Sequence, residues 1–203
     1  QRSVSAGDIG KVVHLRAWRE TSVVNGRIYG QRTTLPLYIG VHDIDIMHWL
    51  TGSRVTQAFA QGAAGRLSDL NVPDSVLAVL RFESGAVASL CNSWALPQTR
   101  KKQRSTILDK GFEVLGTTGM INVEAENIGI RVQTEDDIEY PDILYAPYVQ
   151  GARPGVYRNQ LRHFLRSIID DFTPAVGAGE ATEAVKVAVA IESSLREGLP
   201  VDL

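Results

Sequence analysis

The sequence predicts an α+β domain built on a mostly antiparallel sheet. Three observations carry that expectation. At least five stretches have strand patterning and turn-sized connections. The two clearest amphipathic helices come together near the end of the chain and do not alternate with strands. The segment DSVLAVLRFESGAVASLCNSWAL (74–96) reads as a hairpin turning at Ser84-Gly85. Its first arm is apolar on both faces, with Val76, Ala78, Leu80 and Phe82 against Leu77 and Val79. A strand of that kind must be covered on both sides, by helices or by another subunit.

Each element follows from local pattern. In GKVVHLRAWRE (10–20), Val12, His14, Arg16 and Trp18 alternate with Val13, Leu15, Ala17 and Arg19, as in a strand. Residues 21–34 are polar and glycine-containing and read as a loop. A helix is expected over 38–51, stopped by Gly52. Residues 54–64 read as a strand, and the hairpin follows. Strands are expected at 106–115 and 120–124, with short ones near 128–134 and 137–140. Residues 141–155 are rich in proline and glycine and read as a loop. VYRNQLRHFLRSIIDD (156–171) places Leu161, Phe164, Leu165 and Ile168 on one helical stripe. A second helix is expected over 179–198, ending at Gly198, before a short extension at Val201–Leu203. No linker interrupts the pattern, so residues 1–203 are read as one domain.

Bulk properties exclude several classes. The net charge of −2 draws the chain neither to nucleic acid nor to anionic membrane. No apolar run reaches the roughly 18 residues of a membrane span. Cys91 is the only cysteine, so an internal disulfide is impossible, which fits a reducing, cytoplasmic setting. No His, Cys, Asp and Glu cluster has zinc spacing, so no metal is expected.

The segment LPLYIGVHDIDIMHWLTG (35–52) concentrates proton-moving groups on an apolar helix. With about 100° per residue, Tyr38, His42, Asp45 and Trp49 fall on one stripe about 60° wide. The rest of the circumference is mostly Ile39, Val41, Ile44, Ile46, Met47 and Leu50, so the helix is expected to be buried nearly all round. Asp45 is placed to accept from His42 and fix its tautomer, leaving the imidazole as a general acid or base near neutral pH. A satisfied structural hydrogen bond is the plainer account of the same pair. Asp43 and His48 lie off the stripe and read as structural or surface residues.

The blocks GDIGKVVHLRAWRE, GVHDIDIMHWLTG, LGTTGMI, VYRNQLRHFLRSIID and SSLREGLPVDL, in this order, resemble the C-terminal domain of the glucose–fructose oxidoreductase/inositol dehydrogenase/MocA family. The resemblance covers nearly the whole chain. It implies an open, largely antiparallel sheet with helices packed on one face, of the dihydrodipicolinate-reductase-like type, with the exposed face used for homo-oligomer contact. It implies NAD(P)-dependent oxidation of a sugar, cyclitol or related polyol or acid, with NAD or NADP held by an N-terminal Rossmann domain. No G-x-G-x-x-G follows a strand in this sequence, so that domain is absent from the chain, and these residues alone are expected to be inactive. His42 matches the family's catalytic histidine. Tyr38 stands where the family has an aspartate, and its ordinary pKa near 10 makes it a poor base. Tyr38 therefore reads as a substrate contact, or as the mark of a catalytically silent ligand-binding or oligomerisation module.

Other candidates follow from position. Arg19, at the end of the first strand, is the preferred substrate contact over Arg16 on the opposite face. Trp94 and Asn92 share a face of the hairpin's second arm, where they would line a sugar site or serve core packing and turn bonding. Tyr157 and Arg158 open the amphipathic helix near 156, where they would meet an anionic group or, more simply, form a surface cap. The basic run Arg100–Arg104 reads as a solvated loop.

Overall fold

The computed structural model describes residues 1–96, 108–124, 132–133, 138–139 and 155–203. The basic run at 100–104 and the loop at 141–154 lie outside the described residues. So do parts of the strands expected at 106–115, 128–134 and 137–140. A short helix α1 (Arg2–Ala6) precedes β1 (Val12–Ser22), α2 (Val23–Tyr29), a π-turn (Pro36–Gly40) and α3 (Val41–Thr51). Then come β2 (Val55–Ala63), β3 (Ser75–Phe82), β4 (Val87–Leu96), β5 (Leu108–Gly116) and β6 (Met120–Glu124). A two-residue ladder joins β7 (Val132–Gln133) to β8 (Ile138–Glu139). The chain finishes with α4 (Val156–Ile169), α5 (Ala178–Glu197) and β9 (Val201–Asp202).

Seven strands form one mixed sheet in the order β6-β5-β1-β4-β3-β2-β9. All pairs are antiparallel except β1 with β4, which run parallel. The expected hairpin is β3–β4, closed by Phe82 N–H to Ala86 O and Gly85 N–H to Phe82 O. Alternation sends Leu15, Ala17, Ala58, Ala60, Val76, Ala78, Leu80, Phe82, Ala88, Leu90 and Val114 to one buried face. Ile44 and Met47 of α3 and Ala184, Val187, Ala188 and Ile191 of α5 complete that core. Helices thus cover one face. The other face leaves Leu77 61% and Val79 56% exposed, with Val87 beside them.

Specific contacts fix the edges. Ala60 N–H donates to the Ser194 hydroxyl, which donates on to Leu199 O, clamping the end of α5 to β2. Gly198 then takes φ +69°, a left-handed turn that suits glycine and lets β9 fold back onto β2. On the open face Gly111 sits opposite Trp18. A Cβ there would lie 1.9 Å from the indole, so the missing side chain is what lets the ring lie across β5. Arg16 stacks on that ring at 5.1 Å, and Trp18 Nε1 donates to Asp109.

Three expectations need correction. The expected loop at 21–34 contains α2, because Val23–Tyr29 closes two helical turns despite Gly26. The expected helix at 38–51 divides into the π-turn and α3. Nor is α3 buried all round, since His42 is exposed and Trp49 is 60% exposed. The stripe of α4 is also uncovered, with Leu161, Phe164, Leu165 and Ile168 all exposed. No helix among the described residues is long and apolar enough to cross a membrane.

Candidate functional site

The site begins where α3 lies over the second half of β1. Arg19 is in register with Asn92 of β4 and Lys110 of β5, so the three side chains form one row on the helix-covered face. Gly40 allows α3 to start close above that row, because a Cβ there would lie 2.7 Å from Asn92 Oδ1. Asn92 is fully buried; its amide donates to Cys91 O, while Oδ1 has no partner among the described residues.

Asp43, which the sequence placed off the stripe, is the partner of Arg19. Arg19 Nε donates to Asp43 Oδ1 and Oδ2 at 3.2 and 3.1 Å, and Nη2 donates to Oδ1 at 2.5 Å. The Asp43 side chain is 4% exposed and that of Arg19 16%. This fork-on-carboxylate geometry is the stronger kind of charged hydrogen bond, and it fixes the guanidinium in orientation as well as place.

His42 is the neighbour of Asp43 and faces outward. The protein around its ring costs it hydration, and the charge of Arg19 adds to the effect. Together, with a smaller push from Lys110, they outweigh Asp43 and Asp45 and hold the imidazole below the ordinary histidine pKa. The ring is therefore neutral at pH 7, the form that can accept a proton. Among the described residues no hydrogen bond joins His42 to Asp45. Asp45 lines a cleft of about 690 Å³ with His48, Trp49, Arg54, Glu180 and Glu183. His48 stands edge-on to Phe82 at 6.1 Å, and its buried Nε2 has no partner among the described residues. Burial lowers its pKa as well.

Tyr38 occupies the π-turn. Its ring stacks on Tyr29 at 4.7 Å and 26°, and tilts against Trp94 at 5.9 Å and 53°. Burial first, then the neighbouring phenols of Tyr29 and Tyr157, push its pKa up, so the hydroxyl stays protonated. Trp94 is 1% exposed, and its Nε1 has no partner among the described residues. It backs Tyr38 and lines a hollow of about 240 Å³ with Gly30, Thr34, Glu192 and Arg196.

The structure thus gathers His42, Arg19, Tyr38, Trp94 and Tyr157 at one end of the sheet, and turns Asp45 toward the neighbouring cleft. Sequence reasoning missed Asp43, Tyr29 and Lys110 as members. Tyr29 and Lys110 carry no local signal. Asp43 carries one, its place beside His42, but its partner lies 24 positions away.

The profile of the GFO/IDH/MocA C-terminal domain matches residues 1–122. The chain is 28% identical over 174 residues to an oxidoreductase, YrbE, of Bacillus subtilis (strain 168), covering 81% of this chain and 47% of that protein. It is 25% identical to the scyllo-inositol 2-dehydrogenase (NAD(+)) of the same organism, covering 100% of this chain and 58% of the relative. Among solved structures it superposes on the myo-inositol 2-dehydrogenase of Lactobacillus plantarum with a TM-score of 0.77 at 19% identity, covering 100% of this chain and 60% of that one. The fold is that of the second domain of known dehydrogenases. This chain belongs to the GFO/IDH/MocA family, matching its C-terminal domain, and it spans about half the length of the curated relatives it matches.

The described residues do not fit a dinucleotide. The one parallel strand pair, β1 with β4, is bridged by two helices and two further strands. No glycine-rich turn joins a strand to a helix as a pyrophosphate would require.

Proposed function

We propose that this chain is the substrate-binding and oligomerisation domain of an NAD(P)-dependent oxidoreductase that oxidises a hydroxyl of a sugar, cyclitol or related polyol. The observation that carries the reading is His42, exposed and neutral, held beside the locked Arg19–Asp43 pair. NAD or NADP would be held by a domain outside these residues. What this chain contributes is the proton chemistry and the grip on substrate. His42 takes the hydroxyl proton as the carbon is oxidised. Arg19 Nη1, which has no role in the Asp43 pair, is available to a substrate oxygen. The Tyr38 ring is stacked on Tyr29 and tilted against Trp94, and its hydroxyl would meet substrate. Trp94 supports Tyr38 from below, and Tyr157 closes the site from α4. Asp45 acts on His42 through charge alone. The apolar open face of the sheet is where a second copy would pack, and a cytoplasmic setting suits the half-buried thiol of Cys91, whose pKa is raised to about 11 by lost hydration and then by Glu20.

His42→Ala in the full-length protein tests the reading. Turnover of polyols should fall by at least about 100-fold, with dinucleotide binding retained. Turnover that survives the substitution would remove His42 from the chemistry. Dinucleotide binding with no polyol turnover in the unaltered protein would favour a silent binding module.

A further inference from the structure

Helix α4 stands outside the core. Of its 14 residues only Ser167 is buried. At about 100° per residue, Tyr157, Leu161, Phe164, Leu165 and Ile168 fall on one stripe about 100° wide, and all five are exposed. Arg158, Arg162 and Arg166 run along one border of that stripe. With Leu161, Leu165 and Ile169 they line a hollow of about 340 Å³. Arg166 pairs with Asp170, whereas Arg158 and Arg162 have no acidic partner among the described residues. The flank opposite the stripe is taken by the chain's own return: Phe172 lies against His163 at 5.5 Å, and Ala175 N–H donates to His163 Nε2.

A helix this strongly two-sided has an apolar stripe that calls for a cover. Position selects among three occupants: a bilayer, a second copy and another part of the same polypeptide. The stripe starts at Tyr157, whose phenol is near enough to be felt at Tyr38. It therefore runs outward from the site beside His42, on the helix-covered side of the sheet. A bilayer laid along it would seal that site against a dissolved substrate. A second copy has the open sheet face, which lies on the other side of the sheet at Leu77 and Val79. The dinucleotide must meet the carbon whose hydroxyl His42 deprotonates. The domain that carries it must then come down on the helix-covered side, beside Tyr157. The curated relatives have the length for such a domain, since about half of each lies outside the match. On the strength of the function proposed above, we infer that the stripe of α4 is the seat of the dinucleotide domain of the same polypeptide, with acidic side chains of that domain facing Arg158 and Arg162.

Thiol labelling of the full-length protein, read peptide by peptide in a mass spectrometer, tests the assignment. Phe164→Cys lies in the stripe and Asn159→Cys on the opposite flank. Each is treated with a maleimide, in the native oligomer and in protein dissociated by dilution or by Leu77→Lys with Val79→Glu. Phe164→Cys should react at least about tenfold more slowly than Asn159→Cys in both forms. Equal rates in both forms would leave the stripe bare for a vesicle or a foreign protein and overturn the inference. Protection that vanishes on dissociation would give the stripe to a second copy and overturn it too. Turnover is a second readout. Leu165→Asp should lower kcat by about 100-fold, because a domain displaced by about 1 Å misaligns the reacting atoms, while dinucleotide affinity and oligomeric state are retained. Unchanged kcat, or loss of the oligomer, counts against the assignment. If Leu165→Asp does not fold, the labelling rates decide alone. A protein that binds no dinucleotide or oxidises no polyol, yet shields Phe164→Cys as a monomer, would sink the redox reading and leave this interface standing.

Discussion

His42 titrates below the ordinary histidine range because hydration is lost and two cations, Arg19 and Lys110, face it. A base must be unprotonated to act, so the acid limb of a kcat/KM profile reports this group. That limb should have its midpoint below 6.5, the ordinary histidine value. Lys110→Met removes one of the cations that disfavour the imidazolium, so the midpoint should move upward, toward 6.5. A midpoint that moves down, or does not move, would show that Lys110 is not felt at the ring. Asp43 makes a second expectation at this scale. Removing one partner of a buried pair strands the other charge. Because Arg19 keeps some contact with water, Asp43→Ala should cost about 2 kcal/mol in urea unfolding, and in an Arg19→Met background much of that cost should vanish. Equal costs in both backgrounds would mean the pair is not coupled.

At the scale of elements, α2 matters more than its seven residues suggest. Gly26 and Gly30 lie against Trp94, and a Cβ on Gly26 would come within 2.4 Å of Leu67 Cδ1 and 2.9 Å of Trp94 Cβ. These glycines let α2 sit low enough to bring Tyr29 onto Tyr38. Gly26→Ala should therefore destabilise the fold by about 1–3 kcal/mol through overpacking and also raise the KM for substrate, because Tyr38 loses its stacking partner. A drop in melting temperature with KM unchanged would separate α2 from the site. This element also marks the limit of what pattern reading reaches. The strands, α3, α4 and α5 announce themselves by periodicity and by stop residues such as Gly52 and Gly198. A two-turn helix containing a glycine has too few positions to show a period, and its packing against Trp94, about 65 positions later, is a tertiary fact. The same holds for the site. His42 is legible as a helical residue, whereas Tyr38, which spacing puts on the same helix, lies on the π-turn before it. The Arg19–Asp43 fork and the row Asn92–Arg19–Lys110 exist only because the sheet brings distant strands into register.

For the whole molecule, two apolar surfaces stand out: the open sheet face around Leu77 and Val79, and the stripe of α4. A monomer rarely leaves a broad apolar sheet face in water. The protein should sediment as an oligomer, and Leu77→Lys with Val79→Glu should shift it to the monomer without unfolding it, since neither side chain is in the core. An oligomer that survives both changes would place the contact elsewhere, with α4 the next surface to test.

The strand order has a consequence for how the protein comes into being. β1 lies in the interior of the sheet, yet its neighbours β4 and β5 begin at Val87 and Leu108. During synthesis β1 leaves the ribosome with nothing to pair with until some 65 further residues have followed. Nearly all its ladder partners are remote in sequence, so loop closure must precede pairing, and such topologies fold slowly. In the interval Val12, Val13, Leu15 and Trp18 form an unprotected β-prone segment, the part of the nascent chain for which a chaperone would have the most to do.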